Sequence, residues 1–299
     1  GLIVAGEGAS PRAREWSEAS GFPLLAEPAS GAWSGGGVTP FEQTLVPSSL
    51  GREVDAVVVT GRPTLSRPIQ ALLARPDVRV VVVDPHAPWV DISGNASVVV
   101  ADLEPAREPI RAAQAEWAAR VCEAARDAGE RVESLLASGS GRTMLDLARV
   151  VAASTSGPLV LGASNPVRAF DLAVPALGGR VVHSNRGQAG IDGTIATAVG
   201  ICLGSGYADE ASAPSDERVT AVMGDLTACH DASSLALVAS TGAHLDIVVA
   251  DDHGGGIFAT LEHGRATSPE AYDRWFGLAQ SVDYEALAAA YGIAFARAE

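Results

Sequence analysis

Short valine-rich apolar runs alternate along the chain with longer stretches in which apolar residues recur every three or four positions. That is the pattern of parallel strands buried on both faces and joined by helical crossovers. In the first half the runs are LIVAG (Leu2–Gly6), DAVVVTG (Asp55–Gly61), VRVVVVD (Val78–Asp84) and ASVVVAD (Ala96–Asp102), each closing near Gly, Asp or Pro. The chain then reads as helix from Glu104 to about Ala137, with a flexible break, SGSGR, at Ser138–Arg142. A second series follows: PLVLGAS (Pro158–Ser164), GRVVHS (Gly179–Ser184), RVTAVMGD (Arg218–Asp225) and LDIVVADD (Leu245–Asp252). GIDGTIATAVGICLG and DASSLALVAS lie between these runs as helices, and the polar segment Gly206–Arg218 is expected to be an exposed loop. The pattern predicts an α/β chain of two doubly wound, Rossmann-like parallel-sheet domains, residues 1–135 and 136–299. Ligands of such sheets bind at the carboxyl ends of strands, which singles out Ser164, Ser184, Asp225 and Asp252.

Composition narrows the chemistry. With 299 residues, 47% hydrophobic and 19% charged, the chain can bury a large core, and two domains are the natural division. No apolar run reaches the roughly 18 residues of a membrane span, and the opening residues lack the basic segment of a signal peptide, so a soluble, cytoplasmic protein is expected. A net charge of −15 without a basic cluster argues against nucleic acid as a partner. Cys122, Cys202 and Cys229 form no C-x-x-C and are expected as buried reduced thiols.

All 21 basic residues are arginine. The absence of lysine excludes Schiff-base chemistry and the phosphate loop G-x-x-x-x-G-K-[ST]. Any phosphate must be held by backbone N–H groups, arginine, hydroxyls or a metal. GEGAS (Gly6–Ser10) falls short of G-x-G-x-x-G, because Pro11 stands where the third glycine belongs, and reads as a tight strand-to-helix turn. The histidines match no zinc spacing; His86, His183 and His244 read as surface or strand-end residues.

Asp225 and Asp252 each close a valine-rich run, and one βαβ crossover fits between them. Two carboxylates then converge on one sheet edge; the plainer alternative is a pair of helix N-caps or solvated strand ends. The following HGGGIF allows close backbone approach and then supplies two large apolar residues.

GD followed by a polar doublet and glycine resembles the thiamine diphosphate fingerprint. SNPVR (Ser164–Arg168), SNRGQAGIDGTIATAVG (Ser184–Gly200), GDLTACHD and DDHGGGIF together resemble the 2-succinyl-5-enolpyruvyl-6-hydroxy-3-cyclohexene-1-carboxylate synthases of menaquinone (vitamin K2) biosynthesis. The first half, with GRPTLSRP (Gly61–Pro68), is similar to that family's central domain, so the resemblance covers nearly the whole chain. It implies the thiamine diphosphate-binding fold, with Asp225, Asp252 and the backbone oxygen of Gly254 holding Mg²⁺ (or Mn²⁺) and the metal holding the cofactor's diphosphate. Ser164, Asn165, Ile191, Gly224, Leu226, Gly255, Ile257, Phe258 and Leu261 complete the implied cofactor site. Leu226 replaces the third glycine of the general fingerprint, and DDH replaces the usual asparagine-rich triplet.

The same resemblance places Arg168, Arg186 and Arg67, with Ser164, at the carboxylates of isochorismate and 2-oxoglutarate, where a planar guanidinium gives bidentate recognition. The implied reaction is a transferase chemistry: decarboxylation of 2-oxoglutarate and addition of the resulting carbanion to isochorismate. A homo-oligomer sharing its cofactor sites between subunits is implied as well. The family carries an N-terminal pyrimidine-binding domain with an activating glutamate, so the chain reads as a fragment holding the central and diphosphate-binding domains, inactive alone. Another thiamine diphosphate lyase, of the acetolactate synthase or 2-oxo acid decarboxylase kind, is one alternative; a non-catalytic Rossmann-like binding module is another.

Overall fold

The computed structural model describes residues 1–33, 37–86, 89–105, 109–139, 142–174, 177–188, 190–205 and 218–298, the side chain of His263 excepted. Residues 140–141 of the expected flexible break and 206–217 of the expected exposed loop lie outside these. The chain forms two compact units, Gly1–Arg149 with Ala169–Val182 and Val150–Arg168 with His183–Glu299.

The first unit runs β1 (Leu2–Ala5), α1 (Ala13–Ser20), β2 (Leu24–Ala26), α2 (Glu42–Leu45), α3 (Ser49–Arg52), β3 (Ala56–Thr60), α4 (Arg67–Leu73), β4 (Arg79–Val83), β5 (Ala96–Val100) and α5 (Ala112–Ser138). Its sheet has the order β2-β1-β3-β4-β5 with parallel pairing throughout. The four valine-rich runs are strands, as their pattern predicts; β2 is not in that set, because three residues are too few to show a period. The long helix starts at Ala112, not at Glu104. Pro105 disfavours helical backbone at Glu104, the expected first residue.

Helix α5 buries Trp117, Val121 and Ala125 at four-residue spacing against Val57, Leu72 and Val80. Cys122 falls off that stripe and is exposed, contrary to the expectation for the three thiols; Cys202 is buried and Cys229 half-buried, all free. The GEGAS turn has a structural use. Glu7 and Arg62 exchange backbone hydrogen bonds, N–H of Arg62 to O of Glu7 at 2.9 Å and the reverse at 3.3 Å. A Cβ on Gly6 would overlap the Arg62–Pro63 peptide. The strand ends where a dinucleotide phosphate would sit are thus closed by their own loops.

The second sheet has the order β7-β6-β8-β9, from β6 (Leu159–Leu161), β7 (Val182–His183), β8 (Val219–Gly224) and β9 (Leu245–Ala250). Helices α6 (Met144–Ser154), α7 (Asn165–Ala173), α8 (Thr194–Gly204), α9 (Asp225–His230), α10 (Leu235–Thr241) and α11 (Gly256–Ala259) accompany it. Then come α12 (Glu262–Ala266), α13 (Pro269–Tyr272), a π-helical turn (Asp273–Gly277) and α14 (Tyr284–Ala290). Strand β8 is buried along Val219–Met223 and packs with Ile195, Ala198, Val199 and Leu245 in one core. The strand order reverses between β6 and β8, so the crevice for a ligand lies outside their carboxyl ends. Among the described residues, no helix is long and apolar enough to cross a membrane.

Candidate functional site

The chain beyond β6, β8 and β9 holds most of the residues singled out in the sequence. Strands β8 and β9 are parallel neighbours in register from Val219↔Leu245 to Gly224↔Ala250, which brings Asp225 and the 251–252 pair to one edge. Asp225 is 1% exposed; its Oδ1 accepts the Leu226 N–H at 2.8 Å, while Oδ2 is buried without a hydrogen-bond partner. Burial raises the Asp225 carboxyl above its ordinary range, and the Asp252 and Asp251 carboxylates push it the same way. Asp252 is exposed and Gly224 half-buried beside it.

The glycines after Asp252 are required by close approach. Gly254 adopts φ +139°, a region essentially confined to glycine, after His253 at φ +62°. A Cβ on Gly254 would overlap the Gly277 carbonyl oxygen, one on Gly255 the Phe276 oxygen, and one on Gly256 the Asp252 carboxylate. Gly255 N donates to Gly277 O at 2.5 Å, and the Tyr272 hydroxyl to Gly255 O at 3.1 Å. The loop is clamped on the π-helical turn, with Gly254 O accepting only from Gly256 N at 3.0 Å among the backbone bonds of this loop. Ile257, Phe258 and Leu261 follow half-buried, and the Phe258 ring tilts against Phe276 at 5.9 Å between centroids.

After β6, Ser164 and Asn165 are half-buried at the start of α7. Arg168 is exposed and its Nη1 donates to Ser164 O at 2.9 Å; Arg186 is buried, 4% exposed, and its Nη1 donates to Ala163 O at 3.0 Å. Both guanidiniums therefore meet the turn that closes β6. Ser184 is a staple: its hydroxyl donates to Leu161 O at 2.7 Å. Ile191 is half-buried in the turn before α8. Arg67 opens α4 in the first unit, exposed.

Several residues that the sequence reading passes over shape this region. Asp231 is buried and bonds the first turn of α8. The Tyr284 hydroxyl lies 3.5 Å from the Asp225 carbonyl and 3.7 Å from Cys229 Sγ. Their only signals in sequence are an aspartate after GDLTACH and a tyrosine in an amphipathic stretch, neither of which specifies a partner.

Asp225 Oδ2 is a hard oxygen of the kind a hard cation takes as a ligand. Among the described residues, no cluster of three or more His, Cys, Asp or Glu could hold a metal ion. Two carboxylates and a carbonyl leave the remaining positions to phosphate and water oxygens, which is how Mg²⁺ is usually held, and the buried Asp225 Oδ2 has no other partner to satisfy it.

Residues 171–299 match the family model described as thiamine pyrophosphate enzyme, C-terminal TPP binding domain; thiamine pyrophosphate is another name for thiamine diphosphate. The chain is also similar to three curated 2-succinyl-5-enolpyruvyl-6-hydroxy-3-cyclohexene-1-carboxylate synthases. That of a Nocardioides species is 40% identical over 300 residues, covering 97% of this chain and 54% of the relative. That of Kineococcus radiotolerans is 40% identical over 309 residues, 99% and 53%. That of Renibacterium salmoninarum is 37% identical over 302 residues, 98% and 52%. The chain spans about half the length of these relatives. The strand-end carboxylates and the clamped glycine loop lie inside the segment that matches the thiamine pyrophosphate enzyme C-terminal domain, and the chain as a whole is similar to about half the length of 2-succinyl-5-enolpyruvyl-6-hydroxy-3-cyclohexene-1-carboxylate synthases.

Proposed function

We propose that the protein is the thiamine diphosphate-binding part of a synthase that decarboxylates 2-oxoglutarate and joins the remaining carbons to isochorismate. The product is 2-succinyl-5-enolpyruvyl-6-hydroxy-3-cyclohexene-1-carboxylate. The observation that carries this reading is the buried, unpartnered Asp225 Oδ2, which lies inside the matched segment at the end of β8, beside the strand reversal. Asp225, Asp252 and the Gly254 carbonyl would hold Mg²⁺ or Mn²⁺. In a chain without lysine, that cation takes over the neutralisation of the diphosphate.

Thiamine diphosphate, when bound, supplies the electron sink for decarboxylation. The chain's own residues bind, orient and exclude water. Arg168 and Arg186, whose guanidiniums each donate to the turn after β6, are assigned to the substrates' carboxylates, for which a planar fork is the matching donor. Arg67 and Ser164 belong to the same assignment. Ile191, Ile257, Phe258 and Leu261 provide an apolar wall where exclusion of water strengthens those charge pairs. Asn165, Gly224, Leu226 and Gly255 complete the backbone around the cofactor. A homo-oligomer with shared cofactor sites fits the exposed Trp275 and Leu278 beside the clamp, 64% and 49% accessible. A cytoplasmic location belongs to the same reading, on the kinship with a biosynthetic enzyme.

Calorimetric titration with thiamine diphosphate and Mg²⁺ tests the reading. Metal-dependent binding that Asp225→Ala abolishes is expected. Unchanged affinity in that variant, or binding indifferent to Mg²⁺, overturns it.

A further inference from the structure

Helix α8 begins at a residue that cannot cap it. Its N-cap is Gly193, at φ +62°, which has no side chain to accept from the first amides of the helix. The acceptor comes from elsewhere. Asp231, 7% exposed, accepts the Ile195 N–H at 2.6 Å and the Ala196 N–H at 3.1 Å on Oδ2, while Oδ1 takes the Ser234 hydroxyl at 2.6 Å. A carboxylate at that position is favoured by both the helix dipole and charge-assisted hydrogen bonding.

Asp231 also ends α9: its own N–H bonds Thr227 O at 3.1 Å. The same short helix therefore starts at Asp225 and finishes on the carboxylate that holds α8. His230 extends the connection, its Nε2 lying 3.3 Å from Asp192 Oδ1 inside the turn Gly190–Gly193. Asn185 holds the turn from its other side, its Nδ2 reaching Thr197 Oγ1 at 3.2 Å and Asp192 O at 3.4 Å. Ile191 sits in this turn.

We propose that Asp231 is a positioning residue for the cofactor site, tying the turn that carries Ile191 to the helix that begins with Asp225. The inference rests on the thiamine diphosphate reading above and deepens it. A shift of Asp231 moves the first turn of α8 and the end of α9 together, so the positions of Ile191 and Asp225 are coupled through one carboxylate. A cap that served stability alone would behave like Ser48, which caps α3 in the first unit by accepting the Leu50 N–H at 3.1 Å.

The test compares Asp231→Ala, Asp231→Asn and Ser48→Ala in the 299-residue chain. Thermal unfolding, exchange of the Ile195 and Ala196 amides, and calorimetric affinity for thiamine diphosphate with Mg²⁺ are measured for each. Asp231→Ala should speed exchange at both amides and weaken cofactor binding by about tenfold or more, the scale of a lost supporting interaction around a metal site. Asp231→Asn keeps an acceptor oxygen and should restore both readouts to within about threefold of wild type, on the small penalty for exchanging good N-cap residues. Ser48→Ala should lower the melting temperature and leave the affinity unchanged. Fast exchange in Asp231→Ala with wild-type affinity overturns the inference and leaves the functional reading standing. Absence of metal-dependent binding in the wild-type protein overturns the functional reading and this inference with it.

Discussion

Asp225→Asn should separate stability from function in one substitution. Asp225 is 1% exposed, with one carboxylate oxygen bonded to the Leu226 N–H at 2.8 Å and the other buried without a partner. A buried acceptor left unsatisfied costs about 1–3 kcal/mol, more when it is charged, and the Asp251 and Asp252 carboxylates nearby add repulsion. Asparagine keeps an oxygen for the Leu226 amide and removes the charge. The metal-free variant should therefore be more stable than wild type by about 1–2 kcal/mol, which for a domain of this size is a rise of roughly 2–8 °C in melting temperature. Wild type should gain stability when Mg²⁺ and thiamine diphosphate are added, by about 2.7 kcal/mol at a hundredfold excess over Kd. The variant should gain little, because its single side-chain oxygen is committed to the Leu226 amide and the carboxylate oxygen assigned to the cation is gone. Melting curves of both proteins with and without Mg²⁺ and cofactor supply the four numbers. A variant that melts below wild type without metal, or responds to Mg²⁺ as wild type does, refutes the reasoning.

The buried pair Glu42 and Asp171, bridged by the Gln43 amide, should leave a signature in stability against pH. Burial raises both carboxyls, and the Glu42 carboxylate raises Asp171 further, so the pair's contribution is fully present below the ordinary carboxylate range and is lost as pH rises through the folded values. Wild type should lose melting temperature from pH 5 to 8, and Asp171→Asn should flatten that slope; a steeper slope contradicts the assignment. Gly254→Ala should destabilise by about 1–3 kcal/mol through its φ of +139° alone, with the overlap at Gly277 O adding to it. Gly200→Ala, in open space on α8, should stabilise by about 0.5–1 kcal/mol; equal effects in the two melts would show that the clamp is not tight. In steady-state assays of a chain of the relatives' length, Arg168→Ala and Arg186→Ala should each lower kcat/KM for the two carboxylate substrates by about 2–4 kcal/mol, and Arg168→Lys should also be impaired. Wild-type kcat/KM in both alanine variants would withdraw the substrate assignment. Asp252→Asn should still bind Mg²⁺ by calorimetry, since an amide oxygen remains beside Asp225, and its failure to do so would assign the binding to the second carboxylate's charge.

Both sheets were legible in the sequence because a strand buried on two faces must be apolar at every position, and the valine runs at Asp55–Gly61, Val78–Asp84 and Arg218–Asp225 state that locally. The edge where Asp225 and Asp252 meet followed from the same logic, since strand ends and one crossover length are properties of neighbouring residues. Three-residue β2 was not legible, because a period needs more residues than it has. Nor could GGG in HGGGIF declare its reason: the overlaps that require glycine come from Phe276, Gly277 and Asp252, and the first two are brought there only by the fold. The clearest division runs through GDLTACHD. Its first acid could be assigned from its place after a buried strand, whereas Asp231 acquired its role only when α8, distant in sequence, brought the Ile195 and Ala196 amides within 2.6 and 3.1 Å of it. Apolar burial is a local pattern that the chain writes residue by residue, but a hydrogen bond between separate elements needs directions and distances that exist only once the sheet has set both helices in place.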